Sequence, residues 1–160
     1  MLYYLQVIEL KYKTLLASAK NLIDNEKYTI SLLSNVSAFI FESIDTLNWA
    51  GFYLHKDSLL ILGPFQGKVA CNIIEPKKGV CGTALDLKKT MVIPDVHQHD
   101  NHIACDANSQ SEVVIPIMIN DFVYGVLDID SPITNRFDED LVKFLEELVT
   151  YIEKVIPNLI

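Results

Sequence analysis

The segment Gly125-Val126-Leu127-Asp128-Ile129-Asp130 constrains this chain more than any other, because it alternates. Successive side chains of an extended strand point to opposite faces, so Leu127 and Ile129 share one face while Asp128 and Asp130 share the other. Two carboxylates are unusual there, and they are either solvated acids at a strand end or part of a site. Whether Glu112 joins them depends on the hairpin made by strands over 112–119 and 122–130. A two-residue turn at Asn120-Asp121 would set Glu112 opposite Ile129, with its side chain on the wrong face. A three-residue loop, Asn120-Asp121-Phe122, sets it opposite Asp130, although Phe122 would then occupy a left-handed position that usually takes glycine. The three-residue loop is expected, since it gathers three acids.

Around this hairpin the periodicities give an ordered set of elements. Apolar residues recur at helical spacing from about Lys11 to Ile44, and the Asp24-Asn25-Glu26 break divides them into two helices. The first ten residues either extend the first helix or form a loose extension. Two apolar runs then flank His55-Lys56-Asp57-Ser58 and predict a hairpin with strands at about 47–54 and 59–63. Gly63-Pro64-Phe65-Gln66-Gly67 reads as a turn cluster, and Ala70–Ile74 as a third strand. The small residues of Gly79-Val80-Cys81-Gly82-Thr83-Ala84 suit a helix start, Thr90–Ile93 is a short strand, and an amphipathic helix with acids in its first turn begins near Asp138. The expected fold class is α+β, a single domain over 1–160 with one central antiparallel sheet flanked by N- and C-terminal helices.

A chain of 160 residues is long enough to bury a core without staples. Its net charge of -8 argues against nucleic acid, whose binders present a basic face. No segment has the roughly 20 uninterrupted apolar residues of a membrane span, and the first ten lack a basic leader and a cleavage site. A cytoplasmic protein without membrane contact is expected. Three cysteines at irregular spacing, Cys71, Cys81 and Cys105, do not make a secreted disulfide framework, so redox or metal chemistry competes with plain core filling.

The chemistry gathers on the polar run from His97 to Glu112, which holds three of the four histidines and Cys105. Within it Ile103-Ala104-Cys105 is an apolar island that would turn the thiol inward, which makes Cys105 a candidate nucleophile. Cys81 falls in the first turn of a helix, where the dipole lowers a thiol pKa, so it too is a candidate reactive thiol. Trp49 and Tyr53 share a strand face, as core or as an aromatic wall for a small apolar group. Carboxylates crowded in a partly dry place cannot all ionise, so at least one of Glu112, Asp128 and Asp130 should hold a proton near neutral pH while the others attract an ammonium group. The rival is a metal site from His97, His99, His102 and Cys105, but the C-x2-C and H-x3-H pairings of zinc sites are missing; neither a bound metal nor a bound cofactor is expected.

NWAGFYL, LGPFQG, ACNII, KGVCGTA, IPDVHQHDNHIACDANSQSEVVIPI and GVLDIDSP, with a cysteine in three of them, together resemble the free methionine-(R)-sulfoxide reductases, which are stand-alone GAF domains. The resemblance implies a GAF-like domain that reduces the R epimer of free methionine sulfoxide and is recycled by thioredoxin. It implies Cys105 as attacking thiol, Cys71 and Cys81 as candidate resolving thiols, and an intramolecular disulfide formed from a cysteine sulfenic acid. Trp49 and Tyr53 would enclose the methyl-sulfinyl end, and Ile103 and Ala104 would belong to the substrate-binding set. Glu112, Asp128, Asp130 and Asp95 would bind the ammonium group and the sulfoxide oxygen. The outer helices suggest a homodimer seam. A ligand-sensing GAF module without catalysis is the alternative of another class, since the fold hosts many functions.

Overall fold

The computed structural model describes residues 2–98 and 107–160, so Cys105, Ile103, Ala104, His99 and His102 lie outside the described residues. Two helices, α1 (Leu2–Ile23) and α2 (Thr29–Ser43), lead into strands β1 (Trp49–Lys56), β2 (Leu59–Gly67) and β3 (Ile73–Ile74). Helix α3 (Gly79–Leu87) and strand β4 (Met91–Ile93) follow, then a 3-10 turn at Val96–Gln98, strands β5 (Ser111–Ile119) and β6 (Phe122–Ser131), helix α4 (Glu139–Val155) and a 3-10 turn at Ile156–Asn158. Of the two readings of the N-terminus, the helical one holds, because α1 runs from Leu2. Asp138 caps α4 by accepting the Leu141 N–H at 2.8 Å, and Glu139 and Asp140 occupy the first turn, as the helix dipole favours.

The strands form one sheet in the order β3-β2-β1-β6-β5-β4, antiparallel throughout. The expected α+β class with a central antiparallel sheet is the observed one. The turn cluster at 63–67 is not a turn: these residues continue β2, with Gly51 opposite Phe65 and Trp49 opposite Gly67. The β1–β2 register shifts between Gly51 and Tyr53, so Gly63 and Pro64 fall at an irregularity, where a residue without an N–H is tolerated in a strand. The third strand shortens correspondingly, from the expected 70–74 to Ile73–Ile74.

The β5–β6 hairpin reaches the expected register by a different route. Glu112 does lie opposite Asp130, yet the loop has two residues, with Ile119 opposite Phe122. Asn120 (φ 49°) and Asp121 (φ 65°) are both left-handed, the geometry of the tight turn whose twist matches paired strands. The missing residue enters two positions later: Met118 pairs with Val123 but Ile117 with Gly125, which leaves Tyr124 as a bulge. Phe122 therefore escapes the left-handed strain and stands 75% exposed.

The two faces of the sheet bury different material. Ala50, Phe52, Val113, Ile115, Ile117, Leu127 and Ile129 meet α1, α2 and α4 in a wholly apolar core. On the opposite face α3 lies across β5 and β6 and covers a smaller cluster that includes Trp49, Tyr53, Val114, Val126 and Cys81.

Candidate functional site

Under α3 the sheet presents rows of side chains set by the register. Glu112 on β5 lies between Ile93 on β4 and Asp130 on β6, and Asp130 faces Trp49 on β1. In the next row on this face Asp128 lies between Val114 and Gly51. Glu112 and Asp128 are buried and Asp130 is half-buried. Cys81, in the first turn of α3, completes the group from above: its Sγ, a Glu112 carboxylate oxygen and an Asp128 carboxylate oxygen all lie within 4.8 Å of one another. The turn that leads into α3 packs directly on Gly82, where a Cβ would come within 2.3 Å of the Glu75 carbonyl oxygen.

The protons of this cluster follow from burial. Asp128 is pushed up to about 7, chiefly by loss of solvent; hydrogen bonds with Cys81, Glu112 and the Ile129 backbone N–H work in the opposite direction. Glu112 is raised well above the usual carboxylate range, first by burial, then by the charges of Asp128 and Asp130 and by its hydrogen bond to Asp128. Both shifts favour protonated forms, and Asp128 is near its midpoint at neutral pH, which supports the expectation that one acid keeps its proton. The expectation of an acidified Cys81 does not hold: burial and the Asp128 and Glu112 carboxylates push its thiol well up, and they outweigh the helix terminus. Spacing alone would admit a metal ion, but burial favours the protonated forms of Cys81 and Glu112, which would have to give up those protons to act as ligands. Of the His-rich rival, the one described member, His97, is exposed.

The aromatic pair serves partly as expected. Trp49 stacks on Tyr53 at 5.8 Å between ring centroids and on Phe65 at 5.2 Å, forming a column beside the acids. Gly51 between them makes this possible, since a Cβ there would meet the Trp49 ring at 2.8 Å. Sequence reasoning missed that both rings are also pins: Trp49 Nε1–H donates to the Lys68 carbonyl at 3.1 Å, and the Tyr53 hydroxyl to the Cys71 carbonyl at 3.1 Å. They fix the half-buried segment that carries Cys71 over the site. The W-x-G-x-Y spacing was the available signal. Burial and Asp128 raise the Tyr53 phenol, so it remains a donor.

Cys71 is disulfide-bonded and Cys81 is free. Asp95 is held elsewhere: its two carboxylate oxygens accept the His97 N–H (3.0 Å) and the Gln98 side-chain amide (2.8 Å), which caps the 3-10 turn. The Val96 N–H donates to the Gln110 carbonyl at 2.9 Å, and Asn48 Nδ2 to Ser109 Oγ at 3.0 Å. Both ends of the polar run are thereby tied to the rim of the sheet that holds Glu112 and Asp130.

Residues 12–156 match the GAF domain family. The free methionine-R-sulfoxide reductase of Escherichia coli is 46% identical over 137 residues, covering 86% of this chain and 83% of the relative. The reduced form of fRMsr of Staphylococcus aureus has 52% identity and a TM-score of 0.88, covering 91% of this chain and 94% of that one. The free methionine-R-sulfoxide reductase of Neisseria meningitidis, solved with its substrate, has 36% identity and a TM-score of 0.89, covering 92% and 89%.

Proposed function

This chain belongs to the GAF domain family and, within it, to the free methionine-R-sulfoxide reductases, and from that premise we propose that it reduces free methionine (R)-sulfoxide at the Glu112–Asp128 pair. The observation that carries this reading is the pair itself, two buried carboxyl groups with oxygens within 4.8 Å of one another beneath α3, both with raised pKa. A sulfoxide oxygen becomes a leaving group only when protonated, and a carboxylic acid with a raised pKa supplies that proton at neutral pH. The acidic side chains of Asp128 and Asp130 attract the substrate's ammonium group, which favours the free amino acid over a peptide-bound residue. The Trp49–Tyr53 column, with Ile103 and Ala104 of the polar run, encloses the methyl-sulfinyl end. Asp95, whose oxygens are engaged locally, takes a lesser place in the binding set, shaping the run that follows it.

Cys105 attacks the sulfoxide sulfur as thiolate, the sulfoxide oxygen takes the Glu112 proton and passes as hydroxyl to the Cys105 sulfur, and the substrate sulfur regains its lone pair; methionine leaves reduced and Cys105 is left oxidised as a sulfenic acid. That acid condenses with the Cys71 thiol, releasing water and forming a disulfide. The pairing of Cys71 with Cys105 is supported by the disulfide at Cys71, the free thiol of Cys81 and the tethering of both ends of the polar run at the rim. Thioredoxin restores the dithiol. Exposed Val69 (89%) and Ile73 (56%) flank Cys71 and give a reductant an apolar surface beside the bridge. Two copies pair through the outer helices, where Val7, Leu10, Tyr28 and Ile30 are exposed. The setting is the cytoplasm; among the described residues no helix is long and apolar enough to cross a membrane.

The test is epimer-resolved turnover of free and peptide-bound methionine sulfoxide with thioredoxin as reductant. Wild-type protein should reduce only the free R epimer, Cys105→Ser should abolish turnover, and Glu112→Gln should lower kcat about 10²–10⁴-fold, the range of a lost general acid. Equal rates for wild type and Glu112→Gln would remove the acid role, and retention of a small ligand without turnover would favour a sensory module.

A further inference from the structure

Resting on the reductase reading above, we propose that Cys81 is a positioning residue: its S–H holds the Asp128 carboxylate in place against Glu112, and its sulfur takes no part in disulfide exchange. Three observations converge on this role. Cys81 is a free thiol while Cys71 is bridged, and it is 4% exposed, whereas an exchanging sulfur must be reached by an attacking thiolate. Its Sγ sits within 4.8 Å of carboxylate oxygens of both Glu112 and Asp128, and the thiol favours the charged form of Asp128. Finally, Asp128 Oδ1 is buried without a hydrogen-bond partner, so this carboxylate has few contacts to orient it and depends on those it has.

An S–H is a weak donor, yet in a dry cluster even a weak donor selects one orientation of a carboxylate. The Asp128 carboxylate faces Cys81 from α3 and Glu112 from β5, with Asp130 farther along its own strand and the Tyr53 hydroxyl on β1. Among the described residues no lysine, arginine or histidine acts on Asp128, and the protons of Cys81, Glu112 and the Ile129 backbone N–H are what stabilise its charge. Without the S–H, the charged form of Asp128 is rarer at neutral pH and the Glu112 hydroxyl loses its fixed acceptor. A hydroxyl in the same place would do the same work.

The experiment compares Cys81→Ala with Cys81→Ser by two independent readouts. In substrate-free protein the carboxyl carbon of Asp128 is titrated by NMR: the midpoint should rise by about 0.5–1 pH unit in Cys81→Ala and return toward wild type in Cys81→Ser, the size of one lost hydrogen bond of ordinary net strength, as suits a weak donor. In turnover, the acid limb of kcat/KM against pH should move up by the same amount in Cys81→Ala, with kcat/KM at pH 7 falling about 3–10-fold, and serine should rescue it. Both variants should still form one disulfide per methionine released in a single turnover. An unmoved Asp128 midpoint in Cys81→Ala overturns the positioning role. A sulfenic acid that accumulates in Cys81→Ser, with no disulfide formed, overturns it as well by making Cys81 the resolving thiol. Wild-type protein inactive on methionine sulfoxide would sink the reductase reading instead, and the NMR midpoints would still decide what Cys81 does to Asp128.

Discussion

The two faces of β6 are built by consecutive residues and behave as opposites. Leu127 and Ile129 disappear into the apolar layer under α1, α2 and α4, while Asp128 enters an equally dry place under α3 with a thiol, a second acid and a phenol. Burial stabilises the first pair by removing apolar surface from water. The same burial destabilises Asp128 by raising the cost of its charge. The comparison teaches that desolvation serves stability on one side of the sheet and reactivity on the other, and that neighbouring side chains 127 and 128 should respond to substitution with opposite signs.

Leu127→Ala would sharpen the comparison most, since it opens a hole in the helix-covered core. It should cost about 2–5 kcal/mol, read by chemical denaturation at any pH near neutral. Its pH dependence near neutrality should match that of the wild type, because the titratable groups packed against that layer are tyrosines raised from 10.0.

Asp128→Asn should act the other way. The folded-state pKa of Asp128 is raised from 3.8 to about 7, so the folded chain holds a proton there that the unfolded chain has already released. Stability from this group is complete below about pH 4 and is lost as pH rises through about 7. An uncharged asparagine removes that loss, so the variant should melt several degrees above wild type at pH 8 and show little or no gain at pH 4, an effect of a few kcal/mol at most. Catalytic turnover should fall in the same variant. Equal melting shifts at both pH values would break the contrast between the faces.

The smallest effect belongs to Tyr53→Phe. Losing the hydrogen bond to the Cys71 carbonyl should cost about 0.5–1.5 kcal/mol, and the segment at 68–71 should exchange its amide hydrogens faster while the helix-covered core does not.

Much of this was legible in the residues, and the exceptions share a cause. The alternation in Gly125–Asp130 told which residues point together, and helical spacing in α1, α2 and α4 told which face they cover. What escaped was anything decided by a local irregularity or by burial. Nothing in the letters around Asn120-Asp121 distinguishes a three-residue loop from a two-residue turn with a bulge at Tyr124, since both give Glu112 the same partner. Pro64 argued for a turn because a proline breaks a regular ladder, and only the register shift against β1 makes it a strand residue. Cys81 was expected to be acidic from its place on a helix, but how deeply that helix sinks onto Glu112 and Asp128 is a property of the packed molecule.

The Tyr124 bulge reaches further than its own hairpin. Deleting that one residue, or adding another beside it, would swap inside for outside along the whole of β5 up to its far end, sending Glu112 toward the helices and Val113 into the reaction chamber. Hairpin tips are ordinarily where chains absorb insertions and deletions freely; here the tip is a counting device, and only changes that preserve odd and even leave the chemistry standing.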